Sequence, residues 1–209
     1  MLTENELIKF RRELHSYPET GWCEFVTTHK IVEKLRSFGL DPIYGRQVIN
    51  PEFVAGRNPA KVEEAKKAAL EKGVPPEFIE SMQDYTGVAA IFETGRPGPV
   101  LAIRFDMDCV DVDEAHEAGH RPFDEGWAST NPGHMHSCGH DGHATMGIAV
   151  CNWIQENLDQ FCGTIKVVFQ PAEEGVRGAR PMTETGIFDV VHFFFGNHLG
   201  FNLPTGTIS

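Results

Sequence analysis

Ten consecutive positions, His134-Met135-His136-Ser137-Cys138-Gly139-His140-Asp141-Gly142-His143, carry four histidines, a thiol and a carboxylate. Packing accounts poorly for that density, because each buried imidazole needs partners for two ring nitrogens and four of them would crowd one another. Cys138 and His140 form a Cys-x-His pair, and thiolate and imidazole both coordinate zinc-like ions well. In an extended or turning segment, side chains at i and i+2 can converge, and Gly139 between them permits unusual backbone angles. The plainer reading is a His-rich solvated loop.

Further ionisable groups follow apolar runs. Val100-Leu101-Ala102-Ile103 reads as a strand covered on both faces, ending in Arg104-Phe105-Asp106-Met107-Asp108. From Asp106 to Glu125 there are eight acids against a single Arg121. Most of them read as a solvated acidic loop. Asp106, immediately past the strand, stands out as a functional candidate. Thr164 to Phe169 predicts a second buried strand, ending in Gln170-Pro171-Ala172-Glu173-Glu174-Gly175. Val190 to Phe195 predicts a third, ending in Gly196-Asn197-His198, with His192 a core or edge histidine.

The candidate ligands are therefore Cys138, His140, Glu174 and His198, with Glu173 beside them, around one or two divalent ions in a cleft. Adjacent glutamates suit such a site, since one can bind the cation while its neighbour reaches a water. The cation brings the pKa of that water towards ~7, where a carboxylate can take its proton.

Several elements must position these groups. Thr3 and Glu6 predict a capping box opening a helix, with Leu7, Phe10 and Leu14 on one face. Ser16-Tyr17-Pro18 ends it, and His15 and Glu19 flank the break. A second helix is predicted from about Cys23 to Phe38, stopped by Gly39, and a weak strand from Asp41 to Ile49. Asn58 and Pro59 open a charged helix running to Gly73. With the short turn around Phe78 to Met82 it reads as a surface insertion without chemistry. The strands Gly87 to Thr94 and Pro99 to Phe105 are joined by the turn Gly95-Arg96-Pro97-Gly98. Helices are predicted over Ala144 to Leu158, with Met146, Ile148, Ala149, Trp153 and Ile154 towards the core, and over Gly178 to Thr185. This alternation favours an α/β fold with a largely parallel sheet and helices on both faces, whose C-terminal strand edge hosts sites.

Composition sets the outer limits. A chain of 209 residues suits one well-buried domain. Net charge of −12 argues against nucleic acid or an anionic membrane as partner. No apolar run approaches the ~20 residues that span a bilayer, and Met1 to Arg12 does not read as a secretory signal. Five widely spread cysteines do not form a disulfide framework. They fit a reducing cytoplasm, with Cys138 a ligand and Cys23, Cys109, Cys151 and Cys162 mostly small core residues.

Five motifs in this order resemble the M20 metallopeptidase family, in its amidohydrolase branch. They are Arg11-Arg12-Glu13-Leu14-His15 with Pro18-Glu19, Arg104-Phe105-Asp106-Met107-Asp108, Cys138-Gly139-His140-Asp141-Gly142-His143, Gln170-Pro171-Ala172-Glu173-Glu174-Gly175 and Gly196-Asn197-His198. The resemblance implies a three-layer αβα, zinc-peptidase-like catalytic domain with a mostly parallel mixed sheet. It also implies a zinc or manganese site, of one or two ions, at Cys138, His140, Glu174 and His198, with Glu173 as general base. The insertion over 58–82, the stretch from His120-Arg121-Pro122-Phe123 to Trp127-Ala128-Ser129, and Val110-Asp111 resemble a subgroup that splits p-aminobenzoyl-glutamate into p-aminobenzoate and glutamate. Other N-acyl amino acids or small peptides are alternative substrates. Family members are longer, so residues 1–209 are expected to be the N-terminal part of the catalytic domain. A lid or dimerisation domain and a C-terminal catalytic segment are then absent, and the isolated chain is expected to be inactive. A non-catalytic metal-binding module that needs, or regulates, a complementary chain is the competing expectation, and the expected macromolecular partner is a second copy of the chain or a complementary subunit.

Overall fold

The described residues build one five-stranded mixed sheet from β1 (Ile43–Tyr44), β2 (Val88–Glu93), β3 (Val100–Asp106), β4 (Thr164–Gln170) and β5 (Phe193–Gly196), in spatial order β1-β2-β4-β3-β5. This computed structural model describes residues 1–200, 204, 206 and 207. The strand expected to run through Thr207-Ile208-Ser209 thus falls, at Ile208 and Ser209, outside the described residues.

β3 runs parallel to both β4 and β5, whereas β2 is antiparallel to β1 and β4. The turn at Gly95–Gly98 therefore does not close a hairpin, because β4 inserts between β2 and β3. The parallel trio β4-β3-β5 brings three C-terminal ends to one edge, as the apolar runs predict.

Helices α2 (Phe25–Arg36) and α6 (His140–Glu156) cover one face, and α1 (Glu4–His15) packs against α6. The insertion forms α3 (Pro59–Glu71) and α4 (Pro76–Met82), and the shorter α5 (Arg121–Asp124) and α7 (Ala179–Thr183) lie in connecting segments. On the opposite sheet face Lys166 Nζ donates to the carbonyl of Ile187, in the segment after α7. Local rules fix several helix starts. Thr3 and Glu6 form the reciprocal capping box, and Asn58 accepts from Ala60 and Lys61 N–H ahead of Pro59.

The sheet face under α6 carries Phe105, Val167 and Phe169, and the helix answers with Ala144, Gly147, Ile148, Cys151 and Ile154. Fully burying a residue such as Phe169 contributes roughly 1.5–3 kcal/mol. Helix and sheet approach closely at Gly147, where a Cβ would lie 2.5 Å from Phe169 Cε1 and 2.8 Å from Phe105 Cδ2.

Several expectations give way to tertiary context. Residues 41–49 form only the two-residue β1 and then a 3-10 turn, Gly45–Val48, because Gly45 takes φ +62° and Gln47 reaches back to the N–H of Tyr44. The insertion is not merely superficial, since Val62, Ala69, Phe78 and Met82 join the core. α6 begins four residues before the expected Ala144. Trp153 is exposed and packs edge-on against Phe161 instead of entering the core. β5, expected to be buried, is exposed along its whole length in the described chain. His192 takes the edge position, pairing through its backbone N–H with the carbonyl of Val100 and through Nδ1 with the Val100 N–H. Cys109 and Cys151 are buried as expected, whereas Cys162 is exposed, and all five cysteines are free.

Candidate metal centre at the strand ends

The edge where β3, β4 and β5 end gathers three acid- or sulfur-bearing triads that share one residue. Cys138, His140 and His198 form the first, Asp106, His140 and His143 the second, and His140, Glu173 and Glu174 the third. In each, the candidate donor atoms lie within 4.8 Å of one another. All six residues singled out from the sequence are thus brought together. His143 is an addition. It lay within the Cys138–His143 motif, but motif position alone did not separate it from its neighbours.

Helix α6 explains how one short segment faces two ways. Gly139 caps it at φ +88°, a left-handed conformation that a side chain would disfavour, so Cys138 precedes the helix and His140 opens it. Only part of the histidine-rich decamer then converges. His134 sits 3.2 Å from Asp111 in the loop, and His136 is buried near His15, with ring centroids 6.4 Å apart. Burial pushes His136 down to about 4, so it stays neutral.

The imidazoles are oriented by their second nitrogens. His140 Nδ1 lies 2.9 Å from the carbonyl oxygen of Asp108, and His198 Nδ1 lies 2.7 Å from that of Leu199. A carbonyl only accepts, so Nδ1 carries the proton in each case and Nε2 is the nitrogen turned towards the site. His140 Nε2 is 3.7 Å from Asp106 Oδ1 and 3.9 Å from both Glu173 Oε2 and Glu174 Oε1. His198 Nε2 is 3.3 Å from Cys138 Sγ. His143 is different: Nε2 accepts from the Leu199 N–H at 2.9 Å, so Nδ1–H donates to Asp106 Oδ1 at 2.5 Å.

Charge is arranged around these contacts. Burial would raise Asp106, but the His143 hydrogen bond and the charges of His140 and Arg104 hold its carboxyl below the usual range. Burial would lower His140, yet its bond to Asp108 and the nearby carboxylates keep it above an ordinary imidazole. Burial, with the Glu174 carboxylate beside it, pushes the Cys138 thiol up to about 11, so coordination to a cation would have to release that proton.

The Glu173-Glu174 turn is held from below. Asp108 accepts the backbone N–H of Glu173 at 3.0 Å through Oδ1 and that of Glu174 at 3.1 Å through Oδ2. Glu24, pushed up by burial and by the charge of Asp108, accepts the preceding amide of Ala172 at 2.7 Å. Neither residue was singled out from the sequence. Asp108 had a signal in its motif, two positions after Asp106, whereas Glu24 had none. The buried polar atoms without a hydrogen-bond partner include His140 Nε2 and Glu174 Oε1. Buried polar atoms are normally satisfied. These two converge with a thiol, and the donor set fits a divalent transition ion.

A second polar cluster locks α1 to the acidic loop. His15 Nδ1 and Arg11 Nε lie 2.8 and 2.7 Å from Asp141 Oδ2, and His15 Nε2 lies 3.0 Å from Glu114 Oε1. Glu114, read from the sequence as solvated, is buried and also meets His120 at 2.8 Å. Trp127 stacks edge-on against His15 and beneath Arg11 and Arg12.

Residues 102–209 match Peptidase family M20/M25/M40. Over 205 residues the chain is 46% identical to a homolog, from Haemophilus influenzae, of one subunit of p-aminobenzoyl-glutamate hydrolase, covering 98% of this chain and 48% of that protein. It is 42% identical to the indole-3-acetyl-aspartic acid hydrolase of Enterobacter agglomerans, covering 97% of this chain and 47% of that one. Among solved structures it is similar to an aminobenzoyl-glutamate utilization protein from Klebsiella pneumoniae, with TM-score 0.80 and 34% identity over 97% of this chain and 45% of that chain. It is also similar to a dinuclear metal-binding M20 peptidase from Bacillus subtilis, with TM-score 0.71 and 30% identity over 96% and 44%. The chain spans about half the length of the curated relatives it matches.

Proposed function

The chain belongs to peptidase family M20/M25/M40, and from that premise we propose that it serves the metal-dependent hydrolysis of an amide in an N-acyl amino acid, with p-aminobenzoyl-glutamate as substrate. The observation that carries this reading is the convergence of buried, unpartnered His140 Nε2 and Glu174 Oε1, 3.9 Å apart, beside Cys138 and His198. In this reading Cys138, His140, Glu174 and His198 would hold a divalent cation, zinc or manganese, alone or beside a second ion. The dinuclear relative and the names of the aminobenzoyl-glutamate relatives support it.

A bound cation supplies Lewis acidity, polarising the substrate carbonyl and making water more acidic. The residues of the chain do the rest. Glu173 is half-buried at the mouth of the site, its backbone fixed by Asp108 and its Oε1 4.0 Å from Arg104. It takes a proton from the attacking water as the new C–O bond forms. It then returns that proton to the amide nitrogen as the C–N bond breaks, giving the free carboxylic acid and amine. Asp106, anchored by His143 and Arg104, keeps a fixed negative charge beside His140. His140 and His198 keep Nε2 unprotonated by donating through Nδ1.

We assign residues 1–209 to the N-terminal part of a catalytic domain. The complete activity then belongs to a protein of its relatives' length, and this chain alone turns over little substrate. Relatives named as one subunit of a hydrolase support a complementary subunit as partner. No helix of the described residues is long and apolar enough to cross a membrane. Free cysteines support a cytoplasmic setting.

The test is p-aminobenzoate release from p-aminobenzoyl-glutamate with zinc or manganese. It compares this chain, alone and with a co-expressed complementary subunit, and a protein of the relatives' full length. Turnover by the full-length protein that is abolished by chelation and restored by metal is expected. Full-length turnover unaffected by chelation would overturn the metal reading, and hydrolysis only of other N-acyl amino acids would overturn the substrate.

A further inference from the structure

Building on the metal centre proposed above, we propose that Glu24 is a positioning residue, which fixes the Ala172–Glu174 turn in the conformation that presents Glu174 to the cation. Glu24 immediately precedes α2 and is completely buried. Its Oε2 accepts from Thr86 Oγ1 at 2.6 Å, and its Oε1 accepts the Ala172 N–H at 2.7 Å. The next two amides, of Glu173 and Glu174, end on Asp108. Three consecutive N–H groups of one turn are thus gripped by two carboxylates from different parts of the chain.

The turn needs that grip. Ala172 adopts φ +49°, a left-handed conformation that residues with a side chain avoid. A turn held in a disfavoured conformation persists only where its surroundings over-determine it. Without an acceptor at position 24, the Ala172 N–H would be buried unpaired, and rotation of that peptide would relieve both penalties. Such a rotation would carry Glu173 and Glu174 away from His140. The side-chain bonds of Glu24 go to Thr86 and to this turn rather than to a candidate ligand side chain.

Glu19 provides a built-in comparison. It too is a buried carboxylate of the same loop, but it accepts from Val26 N–H, Thr27 N–H and Thr27 Oγ1 and does not bond to the turn. Its loss should cost stability without moving the site.

The experiment measures zinc and manganese affinity per folded molecule, by chelator competition, together with amide hydrogen exchange at Ala172, for wild type, Glu24→Ala, Glu24→Gln and Glu19→Gln. Loss of such an outer partner typically weakens metal binding 10–100-fold, which is the fall expected for Glu24→Ala, with faster exchange at Ala172. Glu24→Gln retains an oxygen acceptor and should stay within about threefold of wild type, as should Glu19→Gln. Should Glu24→Ala prove unfolded by circular dichroism, Glu24→Asp, which withdraws the oxygen by one methylene, carries the same expectation. Wild-type affinity in the folded Ala or Asp variant overturns the proposal, as does an equal loss in Glu24→Gln. Binding of neither ion by wild type would refute the metal centre instead, and exchange at Ala172 would still decide whether Glu24 holds the turn.

Discussion

Sγ of Cys138 and Nε2 of His198 lie 3.3 Å apart, although 60 positions separate them in the chain. That distance suits two donors turned towards a common ion, with the His198 ring set by its Nδ1 bond to the carbonyl of Leu199. Cys138→Ser should weaken zinc binding at least ~10-fold, because a hydroxyl is a poor replacement for a coordinating thiolate. Elemental analysis and competition titration read this directly. Unchanged stoichiometry and affinity would remove Cys138 from the ligand set.

Glu173 and Glu174 should separate by phenotype. In a protein of the relatives' full length, Glu173→Gln is expected to keep the metal and lower kcat by ~10²–10⁴. Glu174→Gln is expected to lose metal affinity first. Exchange of the two phenotypes would show that the roles are reversed.

Stability should depend on pH through Glu19. Burial pushes its carboxyl from 4.5 up to about 7, outweighing the hydrogen bonds from Thr27 and Val26. A raised folded-state value means that the native protein holds a proton the unfolded chain has released. The contribution is therefore complete below pH 4.5 and is lost as pH rises through the folded value near 7. The difference amounts to about 3 kcal/mol at ~1.4 kcal/mol per pH unit. Urea unfolding of wild type and Glu19→Gln across that window should show the wild type losing stability relative to the variant. Parallel curves would contradict it.

Gly147→Ala should destabilise the protein, although alanine is the better helix former. A Cβ 2.5 Å from Phe169 would force α6 away from the sheet. Overpacking of this kind costs about 1–3 kcal/mol, against up to ~1 kcal/mol gained in helix propensity. A lower urea midpoint with an unchanged m-value is expected, and a higher midpoint would show that the helix can move freely.

Local rules made a first group of features legible along the chain. The capping box of Thr3 and Glu6, the Asn58-Pro59 helix start and the apolar strands β3 and β4 all follow from contacts within a few residues. The strand-end placement of Asp106, Glu173 and Glu174 was legible for the same reason, since the apolar runs stop where the acids begin.

Which of those groups meet depends on long-range packing. Four histidines crowd one decamer, yet His134 turns to Asp111 and His136 is buried near His15, while His140 and His143 face the strand ends. The left-handed turn at Gly139 makes that division, and no periodicity encodes it. Glu114 looked like one acid of a solvated loop, but His15, 99 positions away, makes it a buried partner. Glu24 finds the Ala172 amide across 148 positions. Burial and charge pairing depend on what the fold brings alongside, and a side chain's own neighbours in sequence carry no record of it.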